Sequence, residues 1–237
     1  MIEDRKNAIL LGQRFAIGTR SELLKEAQAL IGVGGVIATV NPIMLVRAVK
    51  NPALERALQH SLNIPDGVGI KSALMKRGVE TEVFPGVELV PVLLQEGGSV
   101  GIVGGEAGVA ERAFSELYRH NDKLTLAFCY DGYTFNVSDL KRSLTDTKPK
   151  FMLVALGVPK QELLIDEIRE YSRKTVYIGI GGSLDIYSGK KRRAPEAFRK
   201  SGFEWLYRMI KEPKRLRGLT ELWDFRTMET IERRKTL

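Results

Sequence analysis

The residues best suited to chemistry in this chain follow five apolar runs, each of which ends in a turn rich in Gly, Asn or Asp. The runs are VIATVNP (36–42), VGIVGGEAG (100–108), LAFCYDGY (126–133), FMLVALGVPKQE (151–162) and VYIGIGGSLD (176–185). In a parallel sheet, ligands bind in the crevice outside the carboxyl ends of the strands. We therefore expect these turns to converge on one ligand crevice.

Asp66 is the candidate general base. It lies in IPDGVG, where the neighbouring side chains are apolar. A carboxylate at hydrogen-bond distance from a hydroxyl can remove its proton, but Pro-Asp-Gly is also common turn chemistry. Thr39 and Asn41, at the end of the first run, are expected to contact a ligand on the same side, and Asn41 is equally suited to capping the helix that begins at Pro42.

The turn after the second run has the composition of a phosphate-binding loop. Backbone N–H groups of Gly104 and Gly105 would face an anion at the start of a helix. The G-x-G-x-x-G fingerprint of dinucleotide-binding proteins is absent, because Val103 occupies the position of its first glycine. Asp131 follows about 20 residues later, where such proteins carry a ribose-binding acid, so a nucleotide-cofactor oxidoreductase remains an alternative.

The last two runs supply further candidates for the nucleotide side of the crevice. Lys160 and Gln161, at a predicted helix start, suit a diphosphate or sugar hydroxyls. Gly181 and Gly182 permit close backbone approach, and Asp185 is placed to accept hydrogen bonds from a ribose or base.

Metal chemistry is not indicated by the sequence. It contains no D-x-D, H-E-x-x-H or Walker A motif, and its two histidines, His60 and His120, have no clustered partners and are expected on the surface. We expect no metal and no cofactor. The single cysteine, Cys129, among apolar neighbours, is expected to be a structural thiol.

Helical patterns separate the apolar runs, which predicts βαβ units. The expected fold is α/β and Rossmann-like, a mainly parallel sheet with flanking helices. A catalytic core spans 1–189, with an acceptor-side half at about 1–95 and a nucleotide-side half at about 96–189. The predicted helices span 20–30, 42–62, 71–76, 109–120, 137–143 and 161–171.

The net charge of +8 comes entirely from the C-terminal segment. Residues 1–189 carry 22 basic and 22 acidic side chains, whereas 190–237 carry 15 and 7. Two apolar stripes, ending at Ile210 and Trp223, alternate with these charges, as in helices that bind the membrane interface. We expect 190–237 to be a membrane-docking appendage; a C-terminal helix packed on the core is the alternative.

No apolar stretch approaches the roughly 20 residues that span a bilayer, and the N-terminal residues lack a signal-peptide pattern. The expected location is the cytoplasm.

Eight motifs in order resemble the WecG/TagA/CpsF family of bacterial glycosyltransferases. They are TVNP, PDGVG, PGVEL, GIVGGEAGVAERA, DGY, LGVPKQE, GIGGSLD and FEWLYRMIKEPKR, and they cover about residues 8–217. The resemblance implies transfer of an N-acetylhexosamine, often N-acetylmannosamine, from a UDP-sugar to polyprenyl-diphosphate-linked N-acetylglucosamine, in teichoic acid or surface polysaccharide assembly. It thus implies two substrates, the cytoplasmic membrane surface as a partner, a possible homo-oligomer and no nucleic acid.

Carried over by motif, the resemblance implies Asp66 as base, with Thr39 and Asn41 beside it. Around the UDP it places Gly104, Tyr133, Gln161 and Asp185, and in the appendage Arg208, Lys214, Arg215 and Arg217. One departure concerns the Arg that the family usually has shortly before PGVEL, where this chain reads Glu82, Val83, Phe84. The expectation is that Lys160 or an appendage arginine takes its role toward the diphosphate, or that the donor differs.

The sequence therefore predicts an inverting, metal-independent glycosyltransferase with Asp66 as general base. The alternatives are the oxidoreductase and a nucleic-acid-binding protein that uses the basic tail, for which NAD binding and salt-dependent DNA binding are the discriminating measurements.

Overall fold

The protein is built on one eight-stranded sheet. The computed structural model describes residues 6–196, 198, 204, 207, 210 and 218–236. The sheet order is β1-β2-β4-β3-β8-β7-β5-β6, and all neighbouring strands are parallel except β1 and β2. The strands are β1 (Asn7–Leu10), β2 (Gln13–Ala16), β3 (Gly35–Val40), β4 (Leu62–Pro65), β5 (Gly98–Gly104), β6 (Leu124–Tyr130), β7 (Phe151–Ala155) and β8 (Val176–Gly179).

Helices cover both faces of the sheet. In the described residues they are α1 (Arg20–Gln28), α2 (Pro42–Lys50), α3 (Pro52–Gln59), α4 (Val68–Met75), α5 (Gly86–Leu93), α6 (Val109–His120), α7 (Val137–Thr147), α8 (Lys160–Ile168), α9 (Ser183–Tyr187) and α10 (Gly218–Thr236). The mainly parallel α/β fold predicted from the sequence is confirmed, and each of the five apolar runs contains one parallel strand.

The single helix predicted over 42–62 is wrong. The chain forms α2, α3 and then β4. Pro52 lacks an N–H and disfavours helical backbone in the residue before it, and Asn51 takes extended angles while its side chain accepts hydrogen bonds from the backbone N–H groups of Ala53 and Leu54. The prediction also missed β1, β2 and α5, because short elements carry weak periodicity.

Alternate residues of the strands face different helical layers. Ile37 packs in a buried cluster with residues of α1, α5 and α6. Its neighbour Ala38 packs in a second cluster with residues of α2, α3, α4 and α10. This alternation on a two-sided sheet explains the continuous apolar runs in the sequence.

The C-terminal helix α10 packs along α2. Phe225 is 5% exposed in the core, and Arg47 and Lys50 of α2 pair with Glu221 and Asp224 at 2.7 and 2.5 Å. The described part of the tail thus includes a helix on the core, the alternative that the sequence left open. Arg208, Lys214, Arg215 and Arg217 lie outside the described residues.

The histidines and the cysteine take the places expected of them. His60 and His120 lie at exposed helix ends. Cys129 is half-buried against the core, and burial, with Glu111 nearby, raises the pKa of its thiol to about 11. The thiol is therefore protonated at neutral pH, which suits a structural role.

Candidate active site

The predicted core-site residues, all of which the structure describes, lie along one edge of the sheet. From the strand order, the carboxyl ends of β4 and β3 lie beside those of β8, β7, β5 and β6. The pairing of β3 with β8 joins the N-terminal half of the core to the C-terminal half. Along this edge, in spatial order, come Asp66, Asn41, Gly181, Gly157, Gly104 and Tyr133.

Asp66 follows β4 directly and is held against β3. Its backbone N–H donates to the carbonyl of Val40 at 3.0 Å, and the residue is half-buried. Gly67, with a φ of 83°, then turns the chain into α4. A positive φ is readily adopted by glycine, so the Pro-Asp-Gly turn places a carboxylate at the edge without strain.

Thr39 is almost buried beneath the start of α5. Thr39 is 8% exposed. A Cβ on Gly86 would come within 2.8 Å of the Thr39 hydroxyl oxygen. The Tyr187 hydroxyl donates to the Gly86 carbonyl at 3.1 Å, and the Phe84 N–H donates to the Pro65 carbonyl at 2.9 Å. The PGVEL motif is thereby fixed beside Thr39 and Asp66.

Asn41 caps α2. Its Oδ1 accepts a hydrogen bond from the Met44 N–H at 3.0 Å, and Pro42 occupies the first helical turn. Capping, one of two roles that the sequence suggested, is therefore observed. Contact between Asn41 and a ligand stays a prediction.

The glycine turn after β5 is closely backed by its neighbours. Gly104 has a φ of 139°, and a Cβ there would lie 2.4 Å from the Ala155 carbonyl oxygen. Gly105 has a φ of 73°, and its carbonyl accepts from the Gly132 N–H at 2.7 Å. Only glycine fits both positions, and the turn leads into α6, a geometry that suits an anion.

Gln161 joins two of the predicted nucleotide turns. The residue is 3% exposed, and its Oε1 accepts from the N–H groups of Gly157 and Gly181 at 3.2 and 3.1 Å. Its Nε2 donates to Oε1 of Glu162 at 2.6 Å. The amide is oriented by three contacts, and Gln161 connects the turns after β7 and β8 in addition to the pairing of the two strands.

Glu162 is a buried carboxylate that sequence reasoning did not select. It is 6% exposed, and its Oε2 has no hydrogen-bond partner among the described residues. Burial raises the pKa of this carboxyl above its usual value, although Gln161 and the charge of Arg47 act in the opposite direction. The P-K-Q-E run contained the signal for this buried carboxylate, because the helical period places its glutamate on the buried side of α8.

Two residues that are predicted to bind the nucleotide are exposed at the same edge, as contact with a ligand requires. Lys160 is exposed at the start of α8, and Tyr133 is 80% exposed.

The Asp131 carboxylate accepts from the N–H groups of Tyr133 and Thr134, both at 2.9 Å, and from the Thr134 hydroxyl. These bonds lower the pKa of Asp131 and orient its carboxylate toward the turn that carries Tyr133 and Thr134.

A basic segment, residues 190–193, links the nucleotide side to the acceptor side. Lys190 pairs with Glu106 of the glycine turn at 2.7 Å, and Lys191 pairs with Asp185 at 2.9 Å. Arg193 lies 2.5 Å from Glu88 of α5. The carboxylate of Asp185 therefore has a lysine partner, and the start of the tail contacts the turn after β5, α9 and α5.

Arg20 lies where the departure from the family pattern occurs. Its Nε donates to the Val83 carbonyl at 3.0 Å, its guanidinium lies 5.3 Å from the Phe84 ring centroid, and it pairs with Glu88 at 2.6 Å. Arg20 is thus a cation at this segment that the sequence did not select, because it is more than 60 residues away in the chain and no local pattern connects the two. That Lys160 or an appendage arginine takes over the role of the family Arg stays a prediction.

These observations define an α/β protein whose parallel sheet carries a carboxylate and several glycine turns along its carboxyl edge, the edge where such folds bind ligands. The sequence profile of the glycosyl transferase WecG/TagA/CpsF family matches residues 8–236. The chain belongs to this family and is a glycosyltransferase, as its motifs predicted.

Two Bacillus proteins illustrate the relationship, and both are named N-acetylglucosaminyldiphosphoundecaprenol N-acetyl-beta-D-mannosaminyltransferase. The protein from Bacillus spizizenii (strain ATCC 23059 / NRRL B-14472 / W23) is 30% identical over 196 residues, which cover 80% of this chain and 76% of the relative. That from Bacillus subtilis (strain 168) is 30% identical over 198 residues, covering 80% and 77%.

Proposed function

We propose that this glycosyltransferase transfers N-acetylmannosamine from a UDP-sugar to N-acetylglucosamine carried on a polyprenyl diphosphate. The names of the two Bacillus relatives support both the transferred sugar and the acceptor. By the same analogy, the product would enter a teichoic acid or a related surface polysaccharide.

The chemistry we propose is a single displacement with inversion, in which Asp66 is the general base. The acceptor hydroxyl gives its proton to the Asp66 carboxylate while its oxygen bonds to the anomeric carbon, and the bond from that carbon to the diphosphate breaks to release UDP. The β-D-mannosaminyl product named for the relatives supports inversion for a donor that is α-linked to UDP. The observation that carries the assignment is the position of Asp66 directly after β4, held to β3 at the edge that also bears the glycine turns.

Leaving-group charge needs fixed dipoles or cations in the proposed reaction. The backbone N–H groups of Gly104 and Gly105 would supply dipoles, and the ion pair with Glu106 of the same turn holds the Lys190 ammonium group nearby. The absence of D-x-D from the sequence supports a reaction without a metal.

The test is Asp66→Asn, assayed with UDP-N-acetylmannosamine and a short-chain lipid-diphosphate N-acetylglucosamine. Loss of a positioned base should lower kcat by roughly 10²- to 10⁴-fold, with UDP affinity retained. Near-normal turnover would remove Asp66 from the mechanism. Product mass and linkage from a panel of UDP-N-acetylhexosamines test the donor separately.

We also propose that the C-terminal segment brings the enzyme to the inner face of the cell membrane, where a lipid-linked acceptor resides. Within the described ranges, no helix is both long and apolar enough to cross a bilayer. On α10, Phe225 faces the core while Trp223 is 70% and Leu219 38% exposed. A Cβ on Gly218 would lie 3.0 Å from Ile43 of α2, so this exposed stripe starts at the end of α2 nearest Asn41.

A further inference from the structure

Arg47 of α2 contacts both the C-terminal helix and the loop that precedes Gln161. Its Nε and one terminal nitrogen donate to the two carboxylate oxygens of Glu221 on α10, at 2.7 and 3.0 Å. Its other terminal nitrogen donates to the Val158 carbonyl at 3.0 Å. Arg47 is 111 residues from Val158 and 174 from Glu221 along the chain, so this junction exists only in the folded protein.

The Val158 loop leads straight to the nucleotide side. Val158 lies between Gly157, whose N–H is bound by Gln161, and the cis proline Pro159 that precedes α8. The Arg47 charge also attracts Glu162, the buried carboxylate that orients the Gln161 amide. Arg47 therefore reaches this turn in two ways, through the Val158 carbonyl and through Glu162.

Guanidinium chemistry suits such a junction. The planar fork of Arg can bind a carboxylate with two nitrogens and still donate with the third. The Glu221 hydrogen bonds and charge hold the Arg47 pKa above its usual value, so the cation is permanent. A lysine would offer one nitrogen and could not span both partners.

We propose that Arg47 is a positioning residue for UDP-sugar binding, and that it makes the donor-side turn at 157–161 depend on docking of α10. With α10 docked, Glu221 orients the Arg47 guanidinium, which donates to the Val158 carbonyl. This hydrogen bond keeps the adjacent turn in the position where the Gln161 amide can bind both Gly157 and Gly181. Removal of Glu221 or Arg47 frees this turn although neither side chain belongs to the proposed crevice. The inference rests on the proposed function for its UDP ligand.

The pair Lys50–Asp224 offers a matched control. It joins the same two helices at 2.5 Å, and its described contacts do not include the 157–161 turn. Asp224→Asn therefore removes an α2–α10 ion pair and leaves the Arg47 junction intact.

The experiment uses full-length protein and two readouts. Hydrogen exchange of the peptide covering 156–162 is measured without ligand, and UDP affinity is measured by calorimetry for Arg47→Met, Arg47→Lys, Glu221→Gln and Asp224→Asn. We expect Arg47→Met to speed exchange of this peptide and to weaken UDP binding about tenfold, a change of about 1.4 kcal/mol. Arg47→Lys should resemble Arg47→Met, and Glu221→Gln should fall between Arg47→Met and the wild type.

The other arms separate positioning from general loss of stability. Asp224→Asn should keep UDP affinity within about twofold of the wild type, even where its melting temperature falls. Adding Glu221→Gln to Arg47→Met should cause no further loss of affinity, since residues in one network are not additive.

Two results would overturn the proposal: wild-type exchange and UDP affinity in a folded Arg47→Met or Arg47→Lys protein, or an equal affinity loss in Asp224→Asn. Failure of the wild-type protein to bind UDP would instead count against the proposed donor, and the exchange arm would still decide whether Arg47 holds the turn.

Discussion

The side-chain oxygen of Gln161 lies 3.1 Å from the backbone nitrogen of Gly181, twenty residues further along the chain. The same oxygen accepts from Gly157, so one buried amide connects the turns that follow β7 and β8. A residue that the family resemblance places beside UDP thus has a structural task that the sequence did not reveal.

We predict that Gln161→Leu loosens both turns. Each N–H left without its acceptor should cost about 1–3 kcal/mol of unfolding free energy, and UDP affinity should fall. Urea unfolding and calorimetry with UDP measure the two effects. Gln28→Leu is the control, because the side-chain hydrogen bond from Gln28 to Glu96, at 2.9 Å, is exposed; equal behaviour of the two variants would contradict the role of Gln161.

Glu162 and Glu88 should make opposite contributions to the pH dependence of stability. Burial raises the pKa of Glu162 above 4.5, so its contribution is fully present below about pH 4.5 and is lost as pH rises through the folded-state pKa. Glu162→Gln should therefore become increasingly stable relative to the wild type as pH rises from 4.5, by about 1.4 kcal/mol for each tenfold difference in proton affinity.

Glu88 should contribute to the pH dependence of stability with the opposite sign. Burial alone would raise the pKa of its carboxyl, but the hydrogen bond and charge of Arg193, with the charge of Arg20, bring it below 4.5. Its contribution is present above pH 4.5 and is lost as pH falls through the folded-state pKa. Glu88→Gln should be destabilised most at neutral pH. Urea unfolding from about pH 2.5 to 8, a range that extends below 4.5 for Glu88, checks both variants, and a parallel pH trend in the two would refute the assignments.

Lys190 should assist departure of UDP. Its ammonium group pairs with Glu106 of the turn after β5. In the proposed reaction, the negative charge of the leaving UDP would develop beside this turn. Lys190→Met should lower kcat at least about tenfold, less than the roughly 10²- to 10³-fold effect of a fully enclosed donor, because the lysine is partly exposed. Lys141→Met, which removes a pair with Glu167 at 2.8 Å, is the control; identical kcat values for both variants and the wild type would exclude Lys190 from this role.

Membrane binding should depend on the exposed stripe of α10. Leu219→Ser with Trp223→Ser removes two apolar side chains at about 1.5 kcal/mol each, roughly a 100-fold loss of partition into vesicles. Flotation with anionic liposomes measures the loss. Val33→Ser, at a residue that is 72% exposed just before the amino end of β3, should float like the wild type. Unchanged flotation of the double variant would show that α10 does not supply the apolar contact.

Much of the architecture follows from local features of the sequence. The continuous apolar runs at 36–42 and 151–162 predicted the parallel strands β3 and β7, since a strand buried on both faces needs apolar residues at every position. Asn41 followed by Pro42 predicted a helix start, because cap and first-turn preferences depend on neighbouring residues alone. The ordered motifs predicted the family.

The tertiary structure decided which of these segments act together. That Gln161 contacts Gly181, that Arg20 lies against Val83 and that Arg47 joins Glu221 to Val158 depends on the strand order, above all on the placement of β3 beside β8. Such pairings join residues separated by 20 to 174 positions. Propensity and periodicity act over a few residues, whereas these contacts are set by how buried surfaces pack, and packing is determined only when the whole sheet forms.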